Sequence, residues 1–323
     1  MPKSRKRIRP KRRRREPGVN PLALDRMFDA VVNDTFRVDV PKVLYHYTTW
    51  AGAQGIITSQ RFWATAHDCT NDEAELVSAD EIIVQVARDL RTKARGAVAK
   101  VLDLFLDGYP EQQVTKVMTV YLVCFSAARD DTEQWQKYAD NGRGLCLGLR
   151  VIAEAVPKDP TLGSALLKVD YSEPSWRSSV TKSFELICSA LSRPEILPTL
   201  GNLKLGLSAL YRIAAFASIS AKRSQWQAEQ EFRLATILHP DTKIKPSERT
   251  SGDKTIRYLP INVREQGRRI AFAEVIVGPN QDSEEARGRL IRLLNDTGYT
   301  VGNMEYPSIT LSGLNSGALS VRA

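Results

Sequence analysis

Histidine is scarce in this chain and cysteine is unorganised. His46, His67 and His239 are the three histidines, and Cys69, Cys124, Cys146 and Cys188 are scattered without a CxxC spacing. No cysteine or histidine pair stands at ligand spacing, so no zinc site or other metal centre is expected. Cys124 and Cys146 sit inside apolar runs and read as small core residues. Unpaired cysteines of this kind fit a reducing, cytoplasmic setting without disulfides. No apolar run reaches about 18 residues, so no membrane contact through a spanning helix is expected. The basic N-terminus is followed by no apolar segment, which argues against a secretory signal. Also missing are a glycine-rich dinucleotide turn, a phosphate-cradling loop and a serine elbow. Rossmann-type cofactor binding, NTP hydrolysis and serine-hydrolase chemistry are therefore not indicated.

The charge is unevenly placed. The net value is +9, and residues 1–16 contain ten of the 46 Lys+Arg and one of the 37 Asp+Glu. The rest of the chain carries 36 of each sign, so the excess belongs to a tail. Such a tail repels itself and lacks apolar residues, and disorder is expected over residues 1–18. Arg5, Arg7, Arg12, Arg13 and Arg14 are candidates for contact with nucleic-acid phosphates, in a salt-sensitive and sequence-blind way. A solubilising tail is the other reading. A neutral body argues against nucleic-acid binding as the main work of the fold.

Periodicity places the elements. A short amphipathic helix is expected over residues 22–32, within a helical extension covering 19–42. Residues 43–47 read as a strand with Leu44, His46 and Thr48 on one face and Val43, Tyr45 and Tyr47 on the other. A helix capped by Thr48 or Thr49, a strand at 62–64, and one long helix over 75–106 follow. Strands are expected at 120–125, 144–149 and 166–171, with a helix carrying Trp135 and Tyr138 between the first two. Helices at 178–191 and 203–221 precede a strand from Glu229 onward. Strands near 255–260, 270–277 and 306–311, with a helix at 283–295, complete the chain. Strands and helices are interspersed without regular βαβ alternation, so the fold class is α+β. Residues 43–315 form a single domain in this reading, and 316–323 a flexible C-terminus.

Three constellations can carry chemistry. In the segment Ser224 to Leu238, Glu229, Glu231 and Arg233 recur at every second residue and form one face of a strand. Two carboxylates so spaced can act on one small ligand; a solvated face neutralised by Arg233 is the plainer reading. Tyr45-His46-Tyr47-Thr48 offers flat faces and hydroxyls suited to a sugar or ring, and a lone strand histidine is also often structural. Trp135 and Tyr138 lie three apart on a helix, a spacing common in cores.

These segments together resemble an uncharacterised bacterial protein family. Its members show a Tyr-His-Tyr-Thr opening, an Asn-Asp-x-x-Glu segment, a strand ending Cys-Phe-Ser, a Trp-x-x-Tyr-Ala helix and a Trp-x-x-Glu-x-Glu-aromatic-Arg strand. Here they read Tyr45-His46-Tyr47-Thr48, Asn71-Asp72-Glu73-Ala74-Glu75, Cys124-Phe125-Ser126, Trp135-Gln136-Lys137-Tyr138-Ala139 and residues 226–233. Glu73 stands where the family usually has proline. The arrangement is also distantly similar to the ADP-ribosyltransferase superfamily, which implies a split, mixed or antiparallel sheet core with helical insertions. That superfamily places a histidine or arginine on its first strand, aromatics about a nicotinamide, and a glutamate opening a late strand.

The resemblance implies NAD as a substrate, with His46, Glu229 and Glu231 as catalytic residues. It implies contacts to NAD from His46, Tyr47, Thr48, Trp63, Ser126, Trp135 and Tyr138. Breaking the nicotinamide–ribose bond passes through an oxocarbenium-like state, which a carboxylate can stabilise. The expected function is an NAD-dependent ADP-ribosyltransferase or NAD-cleaving enzyme in bacterial defence or toxin activity, with a macromolecular acceptor the sequence does not name. The alternative is a non-catalytic nucleotide-sensing or interaction domain, with nucleic-acid contact through the tail.

Overall fold

The computed structural model describes residues 20–70, 76–150, 162–196, 198–238, 242–263, 268–300 and 306–314. The basic tail, the Asn71 to Glu75 motif and residues 316–323 lie outside them. The elements in chain order begin with α1 (Pro21–Thr35), β1 (Val43–Thr48), α2 (Trp50–Ser59) and β2 (Phe62–Ala66). Next come α3 (Asp80–Lys93), α4 (Gly96–Gln112), α5 (Val114–Val117), β3 (Val120–Ser126), α6 (Thr132–Tyr138) and β4 (Leu145–Arg150). They continue with β5 (Leu162–Lys168), α7 (Glu173–Leu191), α8 (Leu200–Ser220), β6 (Glu231–Leu238), β7 (Ser247–Ser251) and β8 (Lys254–Ile261). The chain closes with β9 (Phe272–Val277), α9 (Ser283–Asp296) and β10 (Ser308–Leu311). The fold is α+β, as the interspersed pattern implied.

Among the described residues the strands form one mixed, mostly antiparallel sheet, in which only β9 and β10 run parallel. Its centre is β3, a run of apolar residues buried along almost its whole length. One edge of β3 pairs with β6 throughout, from Val120↔Ile237 to Ser126↔Glu231. The other edge is divided. Ser126 pairs with Tyr45 of β1, while Tyr121 and Leu122 pair with Ala66 and Thr65 of β2. From this fork β1 leads to β4, β9 and β10, and β2 leads to β8 and β7.

Alternation along the strands builds two cores. Tyr121, Val123 and Phe125 of β3 and Phe232 and Leu234 of β6 pack with Ile56 and Ile57 of α2 and Leu290 and Leu294 of α9. On the opposite face, Val120, Leu122 and Ala235 meet Ile219 at the end of α8. Beyond α8 a helical layer gathers α1, α3, α4, α7 and α8 around Phe28, Phe105, Phe184 and Leu210. The N-terminal extension is thus part of a core, since Leu24, Phe28 and Val32 of α1 are buried in it. By length and composition α8 is apolar enough to cross a membrane, but half of that stretch is buried against its neighbours. Packing inside the helical layer accounts for its apolar character.

Several sequence expectations change. The single helix over 75–106 is two helices, broken at Ala94 and Arg95, with Gly96 in the left-handed region at φ +58. Glycine meets that conformation at little cost. The second helix runs past Gly108 and carries Pro110 within its last turn. The strand expected at 166–171 lies earlier, at Leu162–Lys168. Strand β7 was not expected, because Ser-Glu-Arg-Thr-Ser has no apolar alternation. It pairs with β8 through a two-residue Gly252-Asp253 connection, Ser251↔Lys254. A Gly-Asp pair between candidate strands is the signal that locates such a hairpin.

Gly144 enters β4 where the chain has no room for a side chain. A Cβ there would stand 2.2 Å from the Thr48 carbonyl oxygen and 3.0 Å from that of Ala139. Both obstacles are backbone, so neither can rotate away. Gly144→Ala is expected to lower unfolding free energy by about 1–3 kcal/mol in urea denaturation.

Candidate active site

At the end of β3 the chain gathers four ionised groups out of water. Arg233 is 0% exposed, Glu229 3%, Glu231 4% and Lys222 6%. The polar face of β6 is therefore not a solvated strand face, because the end of α8 and the turn after it cover it. Strand β6 begins at Glu231 rather than Glu229. Glu229 ends a 3-10 turn, Ser224–Glu229, and Gln230 adopts a left-handed conformation at φ +44. That kink lets Glu229 and Glu231 meet on one cation. Lys222 Nζ donates to Glu229 Oε2 at 2.7 Å and to Glu231 Oε2 at 2.9 Å. Arg233 donates from Nε to Glu231 Oε1 at 2.9 Å and from Nη2 to Glu231 Oε2 at 3.2 Å. Its Nη1 donates to the Ile219 carbonyl of α8 at 2.7 Å.

Neighbouring groups complete the network. The Tyr138 hydroxyl donates to Glu229 Oε1 at 2.6 Å. Burial pushes its pKa up and the Glu229 charge adds to the effect, so Tyr138 remains a proton donor. The Trp226 ring lies beneath both Lys137 Nζ, at 4.7 Å from its centroid, and Lys222 Nζ, at 5.3 Å. Ser126 Oγ donates to the Glu229 carbonyl at 2.7 Å and accepts from Ala128 N–H, which holds the turn against β3. The Tyr171 hydroxyl accepts from Glu231 N–H at 2.9 Å.

Burial alone raises the Glu231 pKa, but Arg233 and Lys222 together outweigh it and bring the value from 4.5 to about 2. A depressed folded-state pKa contributes stability above the unfolded value, and that stability is lost as pH falls through the folded value. Unfolding free energy should therefore decline from about pH 4.5 toward pH 2, by roughly 3 kcal/mol from this residue. Glu231→Gln should remove most of that decline in urea denaturation series run at stepped pH.

The other expected site residues divide between this cluster and elsewhere. His46 does not join it. Its Nδ1–H donates to the Cys124 carbonyl at 2.9 Å, on the divided edge of β3. Its ring packs edge-on against Phe62 and Phe125, with centroids at 5.3 and 5.9 Å. Phe125 is paired with Phe232, and residues on either side of Phe232 point to the other face, so His46 and Glu231 lie on opposite faces of the sheet. Burial lowers the His46 pKa more than the Cys124 bond raises it, which keeps the ring neutral at neutral pH.

Tyr47 is buried, donates to the Ala128 carbonyl at 2.9 Å and accepts from Asp131 N–H at 3.0 Å. Trp135 is fully buried, stacks edge-on with Tyr47 and donates from Nε1 to Asp130. Both act as core for the loop into α6. Thr48 ends β1 and precedes the Thr49 cap of α2. Trp63 lies on the other branch of the fork, against Tyr258 and Arg249. Of the expected set, Glu229, Glu231, Ser126 and Tyr138 are brought together. The candidate nucleic-acid residues Arg5, Arg7, Arg12, Arg13 and Arg14 lie outside the described residues.

The chain matches no family model, no curated protein and no solved structure.

Sequence reasoning missed Lys222 and Tyr171. A lone lysine after an apolar helix carries no signal of its own. Trp226, four residues on, is the one local mark of a covered site. Beside the network lies a cavity of about 670 Å³, whose lining includes Tyr171, Gln227, Gln230, Phe232, Phe36 and Trp176. Glu229 and Glu231 are not among its lining residues. Among the described residues no cluster of His, Cys, Asp and Glu fits a metal ion.

Proposed function

We propose that this protein cleaves NAD at the nicotinamide–ribose bond and passes the ADP-ribosyl group to an acceptor or to water. The observation that carries this reading is the meeting of Glu229 and Glu231 at the end of β3, with Glu231 held ionised to about pH 2. The forked sheet, with Tyr45, Ser126 and Glu231 in register across β1, β3 and β6, supports an ADP-ribosyltransferase-like split core. So does the order of motifs along the sequence.

In this reading the bond between the ribose C1′ and the nicotinamide nitrogen breaks, and its electron pair leaves with neutral nicotinamide. Glu231, as a fixed carboxylate, accepts a hydrogen bond from the ribose and stabilises the positive charge growing at C1′. Glu229, steadied by Tyr138, orients the acceptor and takes its proton. His46 takes no part, because its ring is spent on the fork; it caps a β3 carbonyl between diverging strands. The test is nicotinamide release from NAD by the wild type and by Glu231→Gln, with loss expected in the variant. Equal release by both would remove Glu231 from the mechanism.

One observation favours a non-catalytic nucleotide sensor. Both Glu231 oxygens are already taken by Arg233 and Lys222, and the 670 Å³ cavity lies beside the pair rather than on it. Calorimetry separates the two readings. Binding of NAD and ADP-ribose without turnover supports the sensor; turnover supports the enzyme.

A further inference from the structure

Two carboxylates are not naturally stable side by side, yet Glu229 and Glu231, separated by a single residue, share one cation. What joins them is Lys222. Its backbone is anchored first: Lys222 N–H donates to the Asp170 carbonyl at 3.1 Å, and Ala221 bridges Asp170 beyond the end of β5. Helix α8 ends two residues before it, at Ser220, and the Ala221 N–H closes that helix on the Ala217 carbonyl. The side chain is thus delivered from a fixed point into the gap between a turn and a strand. Its ammonium bonds one oxygen of each glutamate, and Trp226 covers it. Arg233 anchors the Glu231 side of the pair, donating to that carboxylate and to the Ile219 carbonyl.

We infer that Lys222 is the positioning residue of the carboxylate pair: one ammonium fixes Glu229 beside Glu231, and it acts on a substrate only through them. The inference rests on the proposed role of Glu231, but its test does not need turnover. Among the described residues, the charged and titratable groups facing the pair include Lys222, Arg233, Lys137 and Tyr138 of α6, Tyr171 after β5 and Cys124 of β3. Lys222 bonds both carboxylates, at 2.7 Å to Glu229 and 2.9 Å to Glu231.

The experiment is a pH titration of glutamate carboxyl carbons by ¹³C NMR in the full chain. Glu231 is assigned from the signal lost in Glu231→Gln. Lys222→Met is expected to raise the Glu231 midpoint by about one unit or more, a tenfold or greater rise in proton affinity. Lys222→Arg should restore most of the wild-type value. An unchanged midpoint in folded Lys222→Met would overturn the inference. Should Lys222→Met fail to fold, reductive methylation of the wild type decides. Lys222 should stay unmodified while exposed Lys245 and Lys254 react; modification at the same rate would overturn it. Where the wild type releases nicotinamide, Lys222→Met should lower kcat, leave KM for NAD near its original value and move the acid limb of the pH profile upward. A wild type that releases none contradicts the enzyme reading, and the titration still decides Lys222.

Discussion

Arg233→Met should destabilise the protein by about 3–5 kcal/mol. The side chain is fully buried, and its hydrogen bonds include two to Glu231 and one to the Ile219 carbonyl. Methionine fills much of the same volume, so the loss is electrostatic rather than one of packing. Glu231 would keep Lys222, but Lys222 is shared with Glu229, and the other nearby ammonium, Lys137, stands 3.9 Å from Glu229. The Ile219 carbonyl would lose its Arg233 donor near the end of α8. Against a typical total stability of about 5–15 kcal/mol, this loss is large. Urea denaturation measures it directly. A double variant, Arg233→Met with Glu231→Leu, should be less destabilised than Arg233→Met alone, because it removes the stranded charge along with its partner. A loss below about 1 kcal/mol for Arg233→Met would mean that water reaches these carboxylates.

The second large effect concerns turnover. Glu231→Gln keeps the shape of the side chain and removes its charge. A carboxylate that stabilises an oxocarbenium-like state is worth roughly 10²–10³-fold in rate or more. NAD cleavage should fall by that factor while NAD binding changes little, since the charge it answers develops only in the transition state. Folding of the variant is checked first, because Glu231 also neutralises Arg233. Glu231→Asp, which retains the charge, serves as the control for burial.

The strands and helices with clean periodicity were legible in the sequence. Val120–Ser126, Leu145–Arg150 and Trp50–Ser59 lie where apolar spacing and a threonine cap place them. The alternation after Glu231 is equally plain, and Phe232 and Leu234 do share a buried face. The error at Glu229 has a specific origin. A two-residue spacing that starts at Glu229 crosses Gln230, and a glutamine at φ +44 gives no compositional warning, unlike glycine or asparagine. The burial of the charged face was not legible either. It depends on α8 and Lys222 returning over β6 and on Tyr171 arriving from β5, contacts that no local pattern records.

His46 shows the same limit from the other side. Its alternation with Tyr45 and Tyr47 was correct, but which face Glu231 would share followed from the pairing of β3 with both β1 and β6. The two tyrosines lie on the face that Glu231 uses, and the histidine on the other. Alternation separates the tyrosines from the histidine, and the pairing of the strands adds that Glu231 stands with the tyrosines.

The most direct measurement is nicotinamide release from NAD by the wild-type protein, followed with and without cell lysate and compared with folded Glu231→Gln. Release by the wild type that falls at least about a hundredfold in the variant is the result expected for a carboxylate acting at the ribose. Folded wild type that binds NAD and releases nothing would contradict catalysis and leave the buried network as the frame of a sensor.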